Sequence, residues 1–302
     1  MTTFAENLRG ISALVACNAL FLGNDTLIKL ASRSLPLGEI LLLRGAFAAL
    51  VLTPFIVATG QHRQLALAAN WPMFWRTVAE IVSAALYLLA LFHIPLANIN
   101  AILQTVPLML TAAGALFLGE TVGWRRWTAI GIGFAGVLIV IRPGFAGFNA
   151  YSLLALGSVF FIALRDVCSR IMPRGLTAML VAFITAIAVG LSGPAVGLAL
   201  DEVWVAPDGE GLLLIAGAVF FLIGGYLTSV IFMRHGDISV VAPFRYTAIV
   251  WAMLIGYFVF ADIPEWPMLA GTAIVIATGV YTLYRERRVA ALRAEAAAGE
   301  GV

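Results

Sequence analysis

Long apolar runs, separated by short breaks that contain proline or glycine, constrain this chain more than any other feature. A helix needs about 20 residues to cross the hydrocarbon core of a bilayer, and each run reaches roughly that length. The prolines at the breaks are typical of connections between helices. The runs predict an all-α integral membrane protein with ten transmembrane helices, at approximately residues 10–31, 37–58, 73–93, 96–118, 124–142, 150–172, 177–199, 211–233, 239–260 and 265–284.

Composition excludes several classes of protein. Charged residues make up 11% of the chain and hydrophobic residues 62%, whereas about 25% of residues are charged in a soluble domain. The net charge of +2 argues against a nucleic-acid-binding protein. Cys17 and Cys168 both fall in predicted spans and indicate neither a disulfide framework nor a metal site. The sequence has no GxxxxGKS or GxxxxGKT loop, so we expect no direct use of ATP, and we expect no cofactor.

Basic residues concentrate on one side of the predicted membrane. Cytoplasmic loops carry an excess of Lys and Arg. If the N-terminus is cytoplasmic, only Arg33 and Arg142 lie near the outer surface, and the acidic loop 201–210 is outside. We therefore predict a multi-pass protein of the bacterial inner membrane with both termini in the cytoplasm. The arginines on the inner side are then Arg9, Arg63, Arg125, Arg126, Arg174, Arg234, Arg285, Arg287, Arg288 and Arg293.

Similar residues recur in the two halves of the chain at a nearly constant shift in sequence number. Asp25 and Lys29 of span 1 match Asp166 and Arg170 of span 6, with the same spacing between acid and base. Each half contains five spans, and because five is odd, the halves must cross the membrane in opposite orientations. This is an inverted-topology repeat, which is typical of transporters. We expect a first repeat at 1–143, a second at 144–284 and a charged cytoplasmic tail at 285–302.

A second set of matches follows the fourth span of each half. Gly119-Glu120 corresponds to Ala261-Asp262, and a tryptophan follows each acid at the same spacing, at Trp124 and Trp266. A glycine then stands in the fifth span of each half, at Gly136 and Gly279. All these matches occur at nearly the same shift as those of spans 1 and 6, which indicates one repeat that extends over both halves.

This organisation resembles the drug/metabolite transporter superfamily. The resemblance covers about residues 10–284 and rests on two five-helix halves, short loops, Gly119-Glu120 before Trp124, and a glycine-rich fifth helix. The EamA-type branch is the most similar, and within it the YddG-type amino-acid exporters. The second half departs from the pattern, because Ala261-Asp262 stands where Gly-Glu is usual. The resemblance implies peripheral fifth and tenth helices and transport of small metabolites.

Charged residues inside the predicted spans form two belts. One belt lies in the outer third, on spans 1 and 2, and the other lies in the inner third. Each such charge costs about 2.5–3.5 kcal/mol at the centre of a helix on insertion scales. We interpret the belts as two gates that close in alternation by ion pairs; static pairs and snorkelling side chains are the alternative. The candidate gating residues are Asp25, Lys29, Glu39, Arg44, Arg165, Asp166 and Arg170.

Polar residues on spans 3, 4 and 9 are candidates for solute contact. In span 4, Asn100, Gln104, Pro107 and Thr111 share one helical face, and Pro107 and Pro243 are expected to kink spans 4 and 9. Neutral amides beside an aromatic ring suit a zwitterionic or moderately apolar solute, while hydrogen bonding between helices is the alternative role. The candidate substrate-binding residues are Glu80, Ser83, Tyr87, Asn100, Gln104, Arg245 and Tyr246.

Arg76 and Glu80 lie four residues apart on span 3, near its cytoplasmic end. Their spacing favours an ion pair within the helix. This is the interpretation we expect for Arg76. Glu80 can alternatively serve as a proton or amine site.

Three classes of function are compatible with these features. The first is a secondary transporter, expected as a monomer, which most simply exports neutral or aromatic amino acids; a flavin, nucleoside, sulfonium compound, lipophilic cation or toxin is the alternative solute. The second is an intramembrane serine protease, because Gly190-Leu191-Ser192-Gly193 has the shape GxSG. A protease needs a histidine beside the serine, and the histidines are in or near loops. A channel or a structural scaffold is the third.

Overall fold

The protein is helical throughout its described part. The computed structural model describes residues 4–117, 123–143, 148–173, 175–234 and 241–299. Two 3₁₀ helices, Gln61–Ala68 and Ala242–Tyr246, interrupt the α-helices. The α-helices are α1 Phe4–Ala31, α2 Leu37–Ala58, α3 Trp71–His93, α4 Leu96–Leu103, α5 Val106–Phe117, α6 Trp124–Ile141, α7 Tyr151–Arg170, α8 Ala178–Ala199, α9 Gly209–Arg234, α10 Thr247–Phe260 and α11 Trp266–Gly299.

The expected spans correspond to these helices. Within the described residues, eight helical stretches are long and apolar enough to cross a membrane, and Trp127–Ile141 and Trp266–Thr282 are two shorter apolar helices in the positions of spans 5 and 10. Span 4 is built from α4 and α5, which meet at Gln104 and Thr105, and span 9 begins with the 3₁₀ helix Ala242–Tyr246. The breaks expected near Pro107 and Pro243 are therefore present.

The main helix contacts are related by a pseudo-two-fold symmetry between the two halves of the chain. Helix α1 packs on α9, and its counterpart α7 packs on α3. Helix α2 packs on its own counterpart α8, α6 packs on α11, and α4 packs on α10. Exchanging each helix for its counterpart returns the same set of contacts. The fold is thus an all-α membrane protein of ten spans arranged as two inverted five-helix repeats.

Contacts between connections define two ends of the bundle. At the end where α1 finishes, called the Lys29 end, Glu202 accepts hydrogen bonds from the backbone nitrogens of Leu37 and Gly38, at 3.0 and 2.8 Å. A carboxylate at a helix N-terminus is stabilised by the helix dipole. The acidic connection between α8 and α9 therefore caps α2 of the other repeat. The opposite end, where α7 finishes, is called the Arg165 end.

Glycine permits the close approach of α2 to α8. A Cβ atom at Gly45 would lie 2.5 Å from Cα of Gly190, and one at Gly38 would lie 2.5 Å from the carbonyl oxygen of Gly193. Small residues of this kind let helices pack in membranes without a hydrophobic driving force. Ser192, between these glycines, donates to the carbonyl oxygen of Val189 in its own helix. The GxSG sequence is thus explained by helix packing.

The C-terminal tail continues the last helix. Residues 285–299 do not form a separate coil, since α11 runs as one helix from Trp266 to Gly299. Its length follows from the Ala-rich sequence, because alanine has the highest helix propensity. Gly119-Glu120 of the repeat, Arg174 of the inner loops and one of the three histidines, His235, lie outside the described residues.

Adding a methyl group at Gly45 should separate α2 from α8. We expect Gly45→Ala to lower the stability of the detergent-solubilised protein by about 1–3 kcal/mol, since overpacking at a tight contact costs roughly that much. Gly131→Ala on α6 is the matched control, because no atom lies within 4 Å of the added Cβ. Thermal unfolding compares the two variants. Equal melting temperatures for the two would contradict the close contact.

Candidate solute pathway

Charged and aromatic side chains from five helices converge inside the bundle. This central polar cluster contains three arginines and three carboxylates, so its formal charge is balanced. Tyr87 and Tyr226 lie among the charges. The members are Asp25 of α1, Arg44 of α2, Arg76, Glu80 and Tyr87 of α3, Arg165 and Asp166 of α7, and Tyr226 of α9.

An ion-pair network joins α3 to α7. Arg165 lies 3.2 Å from a carboxylate oxygen of Glu80 and 2.8 Å from one of Asp166. Because α3 belongs to the first repeat and α7 to the second, the pair of Glu80 and Arg165 connects the two halves. Charge-assisted hydrogen bonds of this kind are the stronger ones in proteins. Arg170 is exposed in the last turn of α7, towards the Arg165 end.

Arg76 makes contacts that the spacing along α3 does not predict. Its Nε donates to Ser169 of α7 at 3.1 Å, and its terminal nitrogen donates to Thr185 of α8 at 2.7 Å. Arg76 lies within electrostatic range of Glu80, as its spacing along α3 predicts, but the hydrogen bonds given for Arg76 go to these hydroxyls on neighbouring helices. Arg76 thus joins three helices.

The carboxylate of Asp25 is held by α3. Tyr87 donates to one oxygen of Asp25 at 2.5 Å, and Asn24 donates to the other at 2.9 Å. The guanidinium of Arg44 lies within electrostatic range of Asp25 and Tyr87. Glu39 is elsewhere, buried at 4% exposure, and accepts from the backbone nitrogen of Val205 at 3.3 Å. Glu39 and Arg44 therefore belong to different networks, although both come from α2.

Part of the central polar cluster is exposed at the surface of the protein. Tyr226 is 48% exposed, and the side chains of Glu80, Arg165 and Asp166 are 20, 27 and 32% exposed. Ionised groups facing lipid at this depth would each cost several kcal/mol, whereas an aqueous cavity can solvate them. These groups come from α3, α7 and α9 and face one another. Their exposed surface is thus best explained by a water-filled pathway.

At the Lys29 end the bundle is tied together. The ammonium group of Lys29 donates to the carbonyl oxygen of Ile94 at 2.5 Å and lies 5.1 Å from the ring centre of Phe260. Asp262, just after α10, lies within electrostatic range of Lys29. Burial raises the pKa of the Asp262 carboxyl, and the positive charge of Lys29 opposes part of that rise. One lysine of the first repeat thereby contacts the end of span 9 in the second.

The breaks in spans 4 and 9 meet each other. The side-chain amide of Gln104 donates to the carbonyl oxygen of Arg245 at 3.4 Å. Asn18 of α1 donates to the carbonyl oxygens of Phe244 and Arg245, at 3.3 and 3.2 Å. Backbone carbonyls freed by a helix break need such partners inside a membrane. Gln104 is 5% exposed, so its observed role is to satisfy the break in span 9.

Three other residues that were expected to contact the solute make contacts within the protein instead. Asn100 donates to the carbonyl oxygen of Leu96, and Ser83 donates to that of Glu80, both in their own helices. Tyr246 is 6% exposed, and its hydroxyl lies so close to Gly279 that any Cβ there would overlap it. The ring of Tyr246 thus faces α11. Arg245 is exposed beside the break.

Comparison with known proteins identifies the family. The sequence pattern described as the EamA-like transporter family matches residues 8–142 and again residues 149–285. The chain belongs to this EamA-like transporter family. The two matches fall on the two halves that the packing relates. A transporter family, and not an enzyme family, thereby accounts for nearly all of the chain.

Curated relatives of this EamA-like transporter have different named solutes. The S-adenosylmethionine uptake transporter of Rickettsia conorii is 24% identical over 269 residues, covering 88% of this chain and 89% of that protein. The riboflavin transporter of Vibrio cholerae is 29% identical over 251 residues, covering 80% and 81%. The pseudopaline exporter of Pseudomonas aeruginosa is 26% identical over 279 residues, covering 88% and 93%. These names support small-molecule transport but not the amino-acid exporter subgroup.

A solved structure supports the fold of this EamA-like transporter. A crystal structure of a protein with 19% sequence identity superposes with a TM-score of 0.60 and covers 94% of this chain and 98% of its own. At this identity the likeness concerns the fold alone.

Sequence reasoning missed several residues of this EamA-like transporter. Tyr226 and Phe21 lie in apolar stretches where an aromatic residue gives no periodic signal. Asn18 is one polar residue in span 1, and the break that it satisfies is far away in sequence, at Phe244 and Arg245. Glu202 was assigned only to an acidic outer loop. A search for polar residues near the middle of apolar spans would have found Asn18.

Removing both members of the Glu80–Arg165 pair should cost less than the sum of the two single removals. Each single change, Glu80→Gln or Arg165→Gln, leaves a charge without its partner, whereas the double variant leaves none. We expect a coupling of roughly 0.5–3 kcal/mol in a double-mutant cycle on thermal or denaturant unfolding. The control is the same cycle at Arg142 and Glu265, whose carboxylate is 68% exposed, where about 1 kcal/mol or less is expected. Additive single effects at Glu80 and Arg165 would argue against the pair.

Proposed function

We propose that this protein is a secondary transporter that carries small zwitterionic metabolites through the central polar cluster by alternating access. The observation that carries the proposal is the convergence of three arginines and three carboxylates from both repeats at partly exposed positions inside the bundle. A balanced set of charges can receive a solute that bears both an ammonium and a carboxylate. The three carboxylates would repel a polyanion, and the three arginines would repel a polycation.

The gates of this transporter are proposed at the two ends. Lys29 ties α1 to Ile94 and lies over Phe260, which supports a closed Lys29 end. Partial exposure of Tyr226 and Arg165 supports access from the Arg165 end. If the arginine-rich loops lie in the cytoplasm, as the distribution of basic residues predicts, the proposed open end is the inner one and the proposed state is inward-facing. In the proposed cycle, release of Lys29 opens the outer gate, while Arg165, Asp166 and Arg170 approach the opposite helices to close the inner one.

The solute is proposed to be a metabolite larger than a simple amino acid. Relatives named for S-adenosylmethionine, riboflavin and pseudopaline favour this over amino-acid export. S-adenosylmethionine combines an ammonium, a carboxylate and a planar ring, which matches the balanced charges and the tyrosines of the cluster. The direction of net flux follows the gradients of the solute and of any coupled ion. Amino acids remain in the panel of solutes to be tested.

Reconstitution in proteoliposomes tests the proposal. Labelled S-adenosylmethionine, riboflavin, phenylalanine, leucine and a polyanionic control are offered at two values of the transmembrane pH difference. We expect saturable uptake of a zwitterion that is accelerated by the same solute on the opposite side, since a carrier returns faster when loaded. Arg165→Gln should reduce this exchange at least tenfold. Linear flux without acceleration would indicate a channel, and absence of uptake for every zwitterion would overturn the solute class.

Acidification at the Lys29 end should weaken the closure there. The attraction between Asp262 and Lys29 requires the carboxylate, so it is present above the pKa of Asp262 and lost as the pH falls through that value. An exposed aspartate has a pKa of about 4. Because burial raises the pKa of Asp262 above that value, the attraction to Lys29 is lost in milder acid than it would be for an exposed aspartate. Arg33 lies near Lys29 and opposes its positive charge. Arg142 and Glu265 line the same small cavity as Asp262, but they pair with each other.

We therefore expect exchange to change with pH on the Lys29 side, and Asp262→Asn to reproduce at neutral pH the behaviour of the wild type in acid. The rate of counterflow against external pH measures this. Glu265→Gln, which removes a carboxylate paired with Arg142 instead of Lys29, is the control and should keep the wild-type profile. An unchanged pH profile in Asp262→Asn would remove Asp262 from the gate.

A further inference from the structure

Tyr226 and Phe21 form an aromatic pair at the edge of the central polar cluster. Their ring centres are 5.6 Å apart and their planes are nearly perpendicular, at 86°. Phe21 is held against the backbone of α9, since a Cβ at Gly225 would lie 2.8 Å from its ring. The ring of Tyr226, in contrast, is half exposed. The pair thus combines a fixed ring with an accessible one.

Charges of both signs lie within electrostatic range of the hydroxyl group of this ring. Tyr226 lies within electrostatic range of Glu80 and of Arg165, Arg44 and Arg76. A planar ring stacked on Tyr226 would therefore have a carboxylate available for an ammonium group of the same molecule. It would also have guanidinium groups available for a carboxylate. Few surfaces offer a stacking face and both signs of charge to one small solute.

The repeat does not preserve this aromatic pair. The interface of α1 with α9 is related to the interface of α7 with α3. At the shift that relates Asp25 to Asp166, the counterparts of Phe21 and Tyr226 are Ile162 and Ala85. Both counterparts are aliphatic, so the related interface has no aromatic pair at this position. The aromatic pair is therefore a feature of one interface and is not required by the repeat itself.

We propose that Tyr226, supported by Phe21, is a subsite for the planar aromatic or heteroaromatic ring of the transported zwitterion. This inference rests on the proposed function and specifies the part of the solute that the charged groups do not recognise. Aromatic stacking on a side chain of this kind changes affinity by roughly tenfold or more. The subsite discriminates between solutes that share a zwitterionic head and differ in the ring.

Matched pairs of solutes isolate the contribution of the ring. S-adenosylmethionine is compared with S-methylmethionine, which keeps the sulfonium and amino-acid groups but has no ring, and phenylalanine is compared with leucine. Uptake and counterflow are measured for wild type, Tyr226→Leu and Tyr226→Phe. Tyr257→Leu is the control, because Tyr257 also forms a perpendicular pair with Phe258 and is 56% exposed, but on α10.

We expect Tyr226→Leu to raise the apparent KM for the ring-bearing member of a pair about tenfold and to change that of the ringless member less than twofold. Tyr226→Phe and Tyr257→Leu should retain the wild-type ratio. Phe21→Leu, which removes the supporting ring, should reduce the preference for the ring in the same direction. It also provides a second test if Tyr226→Leu does not fold.

Several outcomes would overturn the subsite. Equal losses for both members of a pair would indicate a structural role, and an unchanged ratio in Tyr226→Leu would remove the ring contact. Wild-type transport of only ringless zwitterions would reject the subsite while leaving the proposed function intact. If the wild type exchanges no zwitterion at all, the proposed function fails, and the subsite fails with it.

Discussion

The cost of placing ionised groups among apolar helices governs this structure. Every charge of the central polar cluster has a partner of opposite sign, a hydroxyl donor or acceptor, or access to water. Arg165 is placed between two carboxylates, Arg76 donates to two hydroxyls, and Asp25 accepts from Tyr87 and Asn24. Most of these partners, Glu80, Ser169, Thr185 and Tyr87, lie on a different helix from the charge that they contact, so the groups that solvate the charges also set the distances between helices. A conformational change must exchange partners and cannot simply break contacts.

The two halves pack through related helix interfaces. Some residues at these interfaces differ between the halves, and these differences distinguish one half from the other. Glycines at the contact of α2 with α8 allow close packing where the halves meet around the two-fold relation. The break in span 9 is satisfied by Asn18, yet the position that corresponds to Asn18 in span 6 is Val159. The pair of Phe21 and Tyr226 likewise has aliphatic counterparts. Such differences concentrate on the helices that enclose the pathway, which is where a solute would distinguish the two halves.

The span boundaries, the helix breaks and the repeat could be predicted from the sequence, because hydropathy, proline and regular spacing act locally or over a constant shift. The partners of individual side chains could not. Arg76 and Glu80 have the spacing of an intrahelical pair, but α7 and α8 offer them other groups, and nothing in the sequence sets the rotation of those helices. Glu39 and Arg44 were grouped as one gate because they share a helix and a depth. The structure separates them, since residues five apart lie on different faces of a helix.

Labelling of position 226 from each side of the membrane distinguishes alternating access from a static bundle, because alternating access requires water to reach the central polar cluster from one end at a time. A single cysteine at this position, Tyr226→Cys, is introduced after Cys17→Ser and Cys168→Ser. A membrane-impermeant maleimide is then applied to either side of oriented vesicles. Alternating access predicts rapid labelling from the Arg165 side, and increased labelling from the Lys29 side when Lys29→Gln releases the closure. Labelling from neither side, or equal labelling from both sides with Lys29 intact, would contradict it.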